Sequence, residues 1–85
     1  MNMIGKWYSE NNKEYIVIKS IYGEADAYEL VTLDQDMGKV SEEIIPINYS
    51  SPTAQIMASE KFGRSTIFFL ENAISINGIV YKKID

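Results

Sequence analysis

At 85 residues the chain reads as a single domain, 1–85, small enough that folding buries only about 60–65% of its unfolded surface. Cysteine and histidine are both absent, which excludes disulfides, thiolate or imidazole metal sites, and Ser-His or Cys nucleophilic catalysis. The net charge of −4 opposes general binding to phosphate backbones, while 46% hydrophobic residues suit a packed core.

Short apolar-alternating runs recur along the chain, separated by turn residues. Ile4 to Ser9 reads as a first strand, closed by the polar run Glu10-Asn11-Asn12-Lys13. Tyr15 to Ile21 is a second, β-branched and apolar on both faces over Tyr15-Ile16-Val17-Ile18, which predicts a strand with neighbours on both sides. Gly23 marks a turn, and Ala27 to Leu33 a third strand. Asp34-Gln35-Asp36-Met37-Gly38 follows as a hairpin loop ending on a glycine suited to a bulge. In the next run, Val40 to Tyr49, alternation places Ile45, Ile47 and Tyr49 on one face, and Pro46 implies an edge position or a bulge.

Residues 51–63 support two readings. Ser51 and Pro52 resemble an N-cap and a first helical residue, Gly63 a residue just past a helix end, and the composition between them favours a short helix over 52–62. Ala54, Ile56 and Ala58 also alternate against Gln55, Met57 and Ser59, and the rhythm of the neighbouring runs tips the balance towards a strand. Thr66 to Leu70 is a further strand. Ile74-Ser75-Ile76-Asn77-Gly78-Ile79-Val80-Tyr81 then carries the strongest hairpin signal in the chain, because both central residues of a type I′ turn need φ > 0. That turn sets Ile76 opposite Ile79 and Ile74 opposite Tyr81 on one apolar face, with Ser75 and Val80, then Ala73 and Lys82, on the other. The expected fold is all-β: a small antiparallel meander of about eight short strands closed into a barrel, since closure removes exposed edges.

Gly5-Lys6-Trp7-Tyr8, followed after a polar loop by Tyr15-Ile16-Val17-Ile18, resembles the opening of lipocalin- and avidin-type (calycin) barrels, whose first strand begins with Gly-x-Trp. The resemblance implies an up-and-down barrel with Trp7 plugging one end. In lipocalins a basic residue of the last strand lies across that tryptophan, a place for Lys82 or Lys83. The chain is shorter than most members and lacks the further tryptophans of the avidin pocket, so a ligand cavity does not carry over. Truncated barrels of this shape include small bacterial protease inhibitors, which admits an inhibitor role.

No catalytic constellation emerges, no enzyme activity is expected and no cofactor is implied. Glu42 and Glu43 are strand neighbours and point to opposite faces, so they cannot act as a converging acid–base pair. Asp34-x-Asp36-x-Gly38 superficially resembles a calcium loop, but Lys39 stands where an EF-hand needs glycine. Trp7 is expected inside the barrel, which turns Tyr8 outward. Charge is unevenly spread. Residues 24–43 hold Glu24, Asp26, Glu29, Asp34, Asp36, Glu42 and Glu43 against Lys39 alone, a local balance of −6.

These features lead to a non-catalytic protein-binding module, of the inhibitor or anti-defence kind, meeting a basic surface of another protein through Asp34, Asp36, Glu42, Glu43 and Tyr8. A carrier of a small apolar ligand and an assembly subunit that oligomerises through a strand edge are the alternatives. Direct nucleic-acid binding is not expected, because Lys61 with Arg64 and Lys82 with Lys83 are too sparse. The opening residues lack the pattern of a secretory signal and no run reaches the roughly 18 apolar residues of a membrane helix, so the cytoplasm is the expected compartment.

Overall fold

Eight antiparallel strands follow one another round a closed barrel in sequence order, in a computed structural model that describes residues 3–84. They are β1 (Gly5–Ser9), β2 (Glu14–Ile21), β3 (Glu24–Leu33), β4 (Lys39–Ser50), β5 (Ala54–Ser59), β6 (Gly63–Leu70), β7 (Ala73–Ile76) and β8 (Ile79–Lys83). Among the described residues no helix is long and apolar enough to cross a membrane.

Alternation along each strand sends one side chain in two to the barrel axis. Trp7, Ile16, Ile18, Leu30, Ile45, Met57, Ile67, Ile74, Ile76 and Tyr81 meet there, each at most 1% exposed. The interior is therefore packed with side chains. The terminal hairpin has the register its turn dictates: Asn77 and Gly78 take φ of 54° and 79°, and Ile76 pairs with Ile79, Ile74 with Tyr81 and Ser75 with Val80.

Trp7 secures one end of the barrel. Its indole N–H donates to the Met3 carbonyl at 3.0 Å, and Met3 is itself buried. Trp7 pairs with Lys83 across the β1–β8 seam, so it is Lys83 whose Nζ stands 5.1 Å from the indole centroid while donating to the Ile4 carbonyl at 3.2 Å. Lys82, one residue earlier, is paired with the outward-facing Tyr8 instead.

Two local expectations are corrected, and the open choice over 51–63 is resolved in favour of the strand. Residues 52–62 form no helix: 54–59 are β5, paired with β4 and β6. Ser51 does behave as a capping residue, its Oγ accepting from the N–H of Thr53 at 3.4 Å and of Ala54 at 3.1 Å. The same local bonds, however, close a tight β4–β5 turn, and burial of Met57 on the axis holds the following residues extended.

Tyr49 does not share a face with Ile45 and Ile47. The register slips between Ile47 and Tyr49, so Asn48 is an extra residue and Tyr49 is turned out, 57% exposed. In the β3–β4 loop it is Met37, at φ 67°, that takes the left-handed conformation, and the bulge falls later, at Val40. Gly38 serves by its small size: a Cβ there would sit 3.0 Å from Asp34 Oδ2.

Replacing Trp7 with Ala removes the largest fully buried side chain and should cost on the order of 3–5 kcal/mol. Chemical denaturation measures the loss. Wild-type tryptophan emission should be that of a shielded indole and move to the water-exposed wavelength on unfolding.

Candidate functional site

The acidic residues are distributed along the β3–β4 hairpin, the longest in the barrel, and the structure gives each a different situation. Asp34 opens the connecting loop. Its Oδ1 accepts from the N–H of Asp36 at 2.9 Å and of Gly38 at 2.8 Å, an Asx arrangement that shapes the turn. Asp36 stands exposed within the same loop. Glu42 projects from the outer face of β4 and meets Lys39 at 3.2 Å, with both side chains more than half exposed. Such a pair contributes little to stability and is easily exchanged.

Glu43 is committed to the fold. The β4–β5 ladder runs only over Ile47–Ser50, and no ladder pair joins Lys39–Pro46 to β5. Pro46, which lacks an N–H, sits where pairing stops. Across the resulting gap, the Glu43 carboxylate accepts from Ser59 Oγ at 3.0 Å and from the N–H groups of Glu60 at 2.8 Å and Lys61 at 3.2 Å. One side chain thus ties the β5–β6 turn to β4 where backbone pairing is missing. Between them lies an open groove of about 460 Å³, with Glu42, Ile44 and Pro46 on one wall and Ala58, Ser59 and Glu60 on the other.

Tyr8 is not part of this surface. It stacks on Tyr15 with ring centroids 4.7 Å apart, three strands round the barrel from β4. There it borders a separate shallow groove of about 140 Å³, together with Glu10, Asn11, Val80 and Lys82. So the five expected residues do not form one site: Asp34 and Asp36 share a loop, Glu42 and Glu43 leave opposite sides of β4, and Tyr8 lies apart.

Sequence reasoning missed two residues of β4 and one of the β5–β6 turn. Val40 and Ile44 are 63% and 64% exposed, and Glu60 adds a third carboxylate to the groove. Ile44 was detectable in principle, since two consecutive isoleucines on one strand cannot both face the axis.

A second cluster closes the barrel end opposite Trp7. Tyr81 donates its hydroxyl to Glu14 Oε1 at 2.8 Å, and Lys61 Nζ meets Glu14 Oε2 at 3.0 Å. Phe62 packs edge-on against Tyr81, with centroids 6.1 Å apart. Burial, then the hydrogen bond to Glu14 and its negative charge, raise the Tyr81 phenol well above its ordinary value. Among the described residues no group of three or more His, Cys, Asp or Glu side chains is placed to hold a metal ion. Comparison with protein families, with curated proteins and with solved structures finds no match.

Removing the Glu43 carboxylate should loosen the β4–β5 seam. Glu43→Ala should cost about 1–2 kcal/mol, because water can satisfy the exposed N–H groups of Glu60 and Lys61 in its place. Denaturant titration against wild type tests this, and amide exchange should accelerate first at Glu60 and Lys61.

The raised Tyr81 phenol has a pH consequence of definite sign. Below the unfolded value, near 10.0, both states keep the proton and the stabilisation is complete. Above it the unfolded chain ionises while the folded one resists, so stability falls as pH rises. Tyr81→Phe should be less stable at neutral pH, through loss of the bond to Glu14, and show a shallower decline on the alkaline side. Thermal melts of both proteins from neutral to strongly alkaline pH measure the difference.

Proposed function

We propose that this chain is a non-catalytic protein-binding module of the calycin-like barrel type, an inhibitor or anti-defence factor. It acts in the cytoplasm through the acidic outer surface of its β3–β4 hairpin. The observation that carries the reading is the closed, filled barrel. Trp7, Met3 and Lys83 close one end, Glu14, Tyr81, Lys61 and Phe62 the other, and the axis between them is occupied by side chains at most 1% exposed. A carrier of small apolar ligands needs roughly 300 Å³ or more of lined interior, and this packing argues against one.

The work then falls to the exterior, where charge is the most distinctive property. Seven carboxylates against one lysine over 24–43 create a field that would steer the hairpin onto a basic surface. Lys83 over Trp7 supports the calycin-like classification on geometry, since that is the arrangement the Gly-x-Trp resemblance implies. Oligomerisation through a strand edge has the unpaired half of β4 in its favour and the like charge of two such edges against it.

The double variant Asp34→Asn/Asp36→Asn separates charge from fold. An asparagine at 34 keeps a side-chain oxygen for the N–H groups of Asp36 and Gly38, so the turn survives. Relief of repulsion should leave the melting temperature unchanged or raise it. Pull-down from native host lysate should recover less of the specific partner with the variant than with wild type, the difference shrinking as salt rises. Equal recovery at low and moderate salt would reduce this surface to a solubilising face.

A further inference from the structure

We propose that the outer face of β6, β7 and β8 is a dimerisation surface, and that its occupant is a second copy of this chain. The proposal is independent of the acidic hairpin and goes beyond the reading above.

The register sets two rows of side chains on the outside of the barrel here. Phe68, Ser75 and Val80 lie across the three strands in one row, and Leu70, Ala73 and Lys82 in the next. All six alternate with the inward-facing Ile67, Phe69, Ile74, Ile76 and Tyr81, and so face outward. Phe68, Leu70 and Val80 are 53%, 42% and 44% exposed, a cluster of large apolar groups on the side of the sheet that faces water. Between them the outward residues of β7 are only alanine and serine, so a shallow trough follows β7 with the larger side chains as its walls. Next to it β8 pairs with β1 only at Lys82 and Lys83, and there opens the groove of about 140 Å³ lined by Tyr8, Glu10, Asn11, Val80 and Lys82. An apolar cavity of about 150 Å³ accepts benzene, so this groove matches one phenyl ring in size.

Self-matching identifies the occupant. A two-fold axis parallel to β7 lays β6 of each copy over β8 of the other. Phe68 of each copy then drops beside Val80 into the groove of the other, and the small Ala73 and Ser75 let the two sheets approach. The same axis brings Lys82 of each copy towards Glu71 of the other, in the turn that follows Leu70. Both residues are exposed, and neither has an ion pair among the described residues. The distribution of charge favours the same arrangement. β7 and β3 stand four strands apart in either direction round the barrel, so the β3–β4 hairpins of the dimer, with their local balance of −6, point away from each other. A standard interface takes about 800 Å² from each partner, about a sixth of the 5151 Å² exposed by this chain, and the face spans three strands of eight.

Sedimentation velocity of the intact protein over a concentration series should show a dimer of the 9.7 kDa chain in reversible exchange with monomer. Heteronuclear NMR over the same series should move the amide signals of Phe68, Ser75, Val80 and Lys82 and leave those of Asp34–Gly38 in place. Phe68→Lys, a change at an exposed side chain, should keep a cooperative melting transition and weaken the dimer at least about tenfold. Lys82→Glu and Glu71→Lys should each weaken it, and combined they should restore it, since the pair re-forms with its charges exchanged.

A monomer at every concentration up to about 1 mM would overturn the proposal. So would a dimer that Phe68→Lys leaves intact, or one whose shifts map to the β3–β4 hairpin. A combined variant no tighter than either single one would overturn the two-fold arrangement. Monomeric wild type whose lysate partner is lost with Phe68→Lys would assign the face to a different protein and overturn the second copy as its occupant.

Discussion

The barrel depends on how β8 is joined to β1. Among the described residues that seam has two ladder pairs, Trp7 with Lys83 and Tyr8 with Lys82, extended by one bond from the Ile84 N–H to the Lys6 carbonyl at 2.9 Å. The β3–β4 ladder, by contrast, runs from Ala27 to Leu33. What the closing seam lacks in backbone pairing it recovers through Trp7, which is held by the Met3 carbonyl below and covered by the Lys83 ammonium above. An ammonium over an indole contributes about 0.5–1 kcal/mol at an exposed site, and burial of the ring contributes several times more. Closure brings together residues from the two ends of the chain, so its entropic cost is met only once the intervening hairpins are in place. Packing around one tryptophan thus decides whether the molecule is a barrel or an open sheet with two edges.

The sequence made the strands legible wherever a turn residue fixed their register. Asn77-Gly78 is the clearest example, because only a type I′ geometry satisfies both residues and every pair of the hairpin then follows. Legibility failed where one local chemistry serves two structures. The Ser51 hydroxyl bonds to the Thr53 and Ala54 amides much as it would at a helix start, and nothing within 51–63 says that the chain then continues extended. The decision comes from the axis, where Met57 fills a place between its cross-strand partners Ile47 and Ser65. Tyr49 failed for a related reason. Alternation predicts a face only while the count is unbroken, and the extra residue at Asn48 inverts it. Pro46 indicated an irregularity without indicating on which side of it the slip would occur.

The candidate surface was legible as composition and much less so as geometry. A strand pattern says that Glu42 and Glu43 face opposite ways; it cannot say that β4 parts from β5 beside them. That parting turns Glu43 from a surface charge into the acceptor of three hydrogen bonds. Tyr8 shows the converse limit. Its outward direction followed from Trp7, but its distance from the acids depends on the order of strands round the barrel, and the β1–β2 register places it against Tyr15.

Acidity in this chain therefore has two physical origins. Short turns leave backbone N–H groups without ladder partners, and a carboxylate is the strongest acceptor available to them. Asp34 and Glu43 are used in this way, and Glu14 similarly receives the Tyr81 hydroxyl and the Lys61 ammonium. These carboxylates are fixed in position and their charge is partly offset by the donors they hold. Asp36, together with Glu24 and Asp26 further along the hairpin, stands in solvent, and Glu42 shares its charge only with Lys39 in an exposed pair. A partner drawn by charge would respond chiefly to this second group, since a carboxylate already satisfied by protein donors has less to offer an incoming cation. The structural acids explain why the hairpin tolerates its own repulsion, and the solvent-facing ones are those whose number the fold does not require.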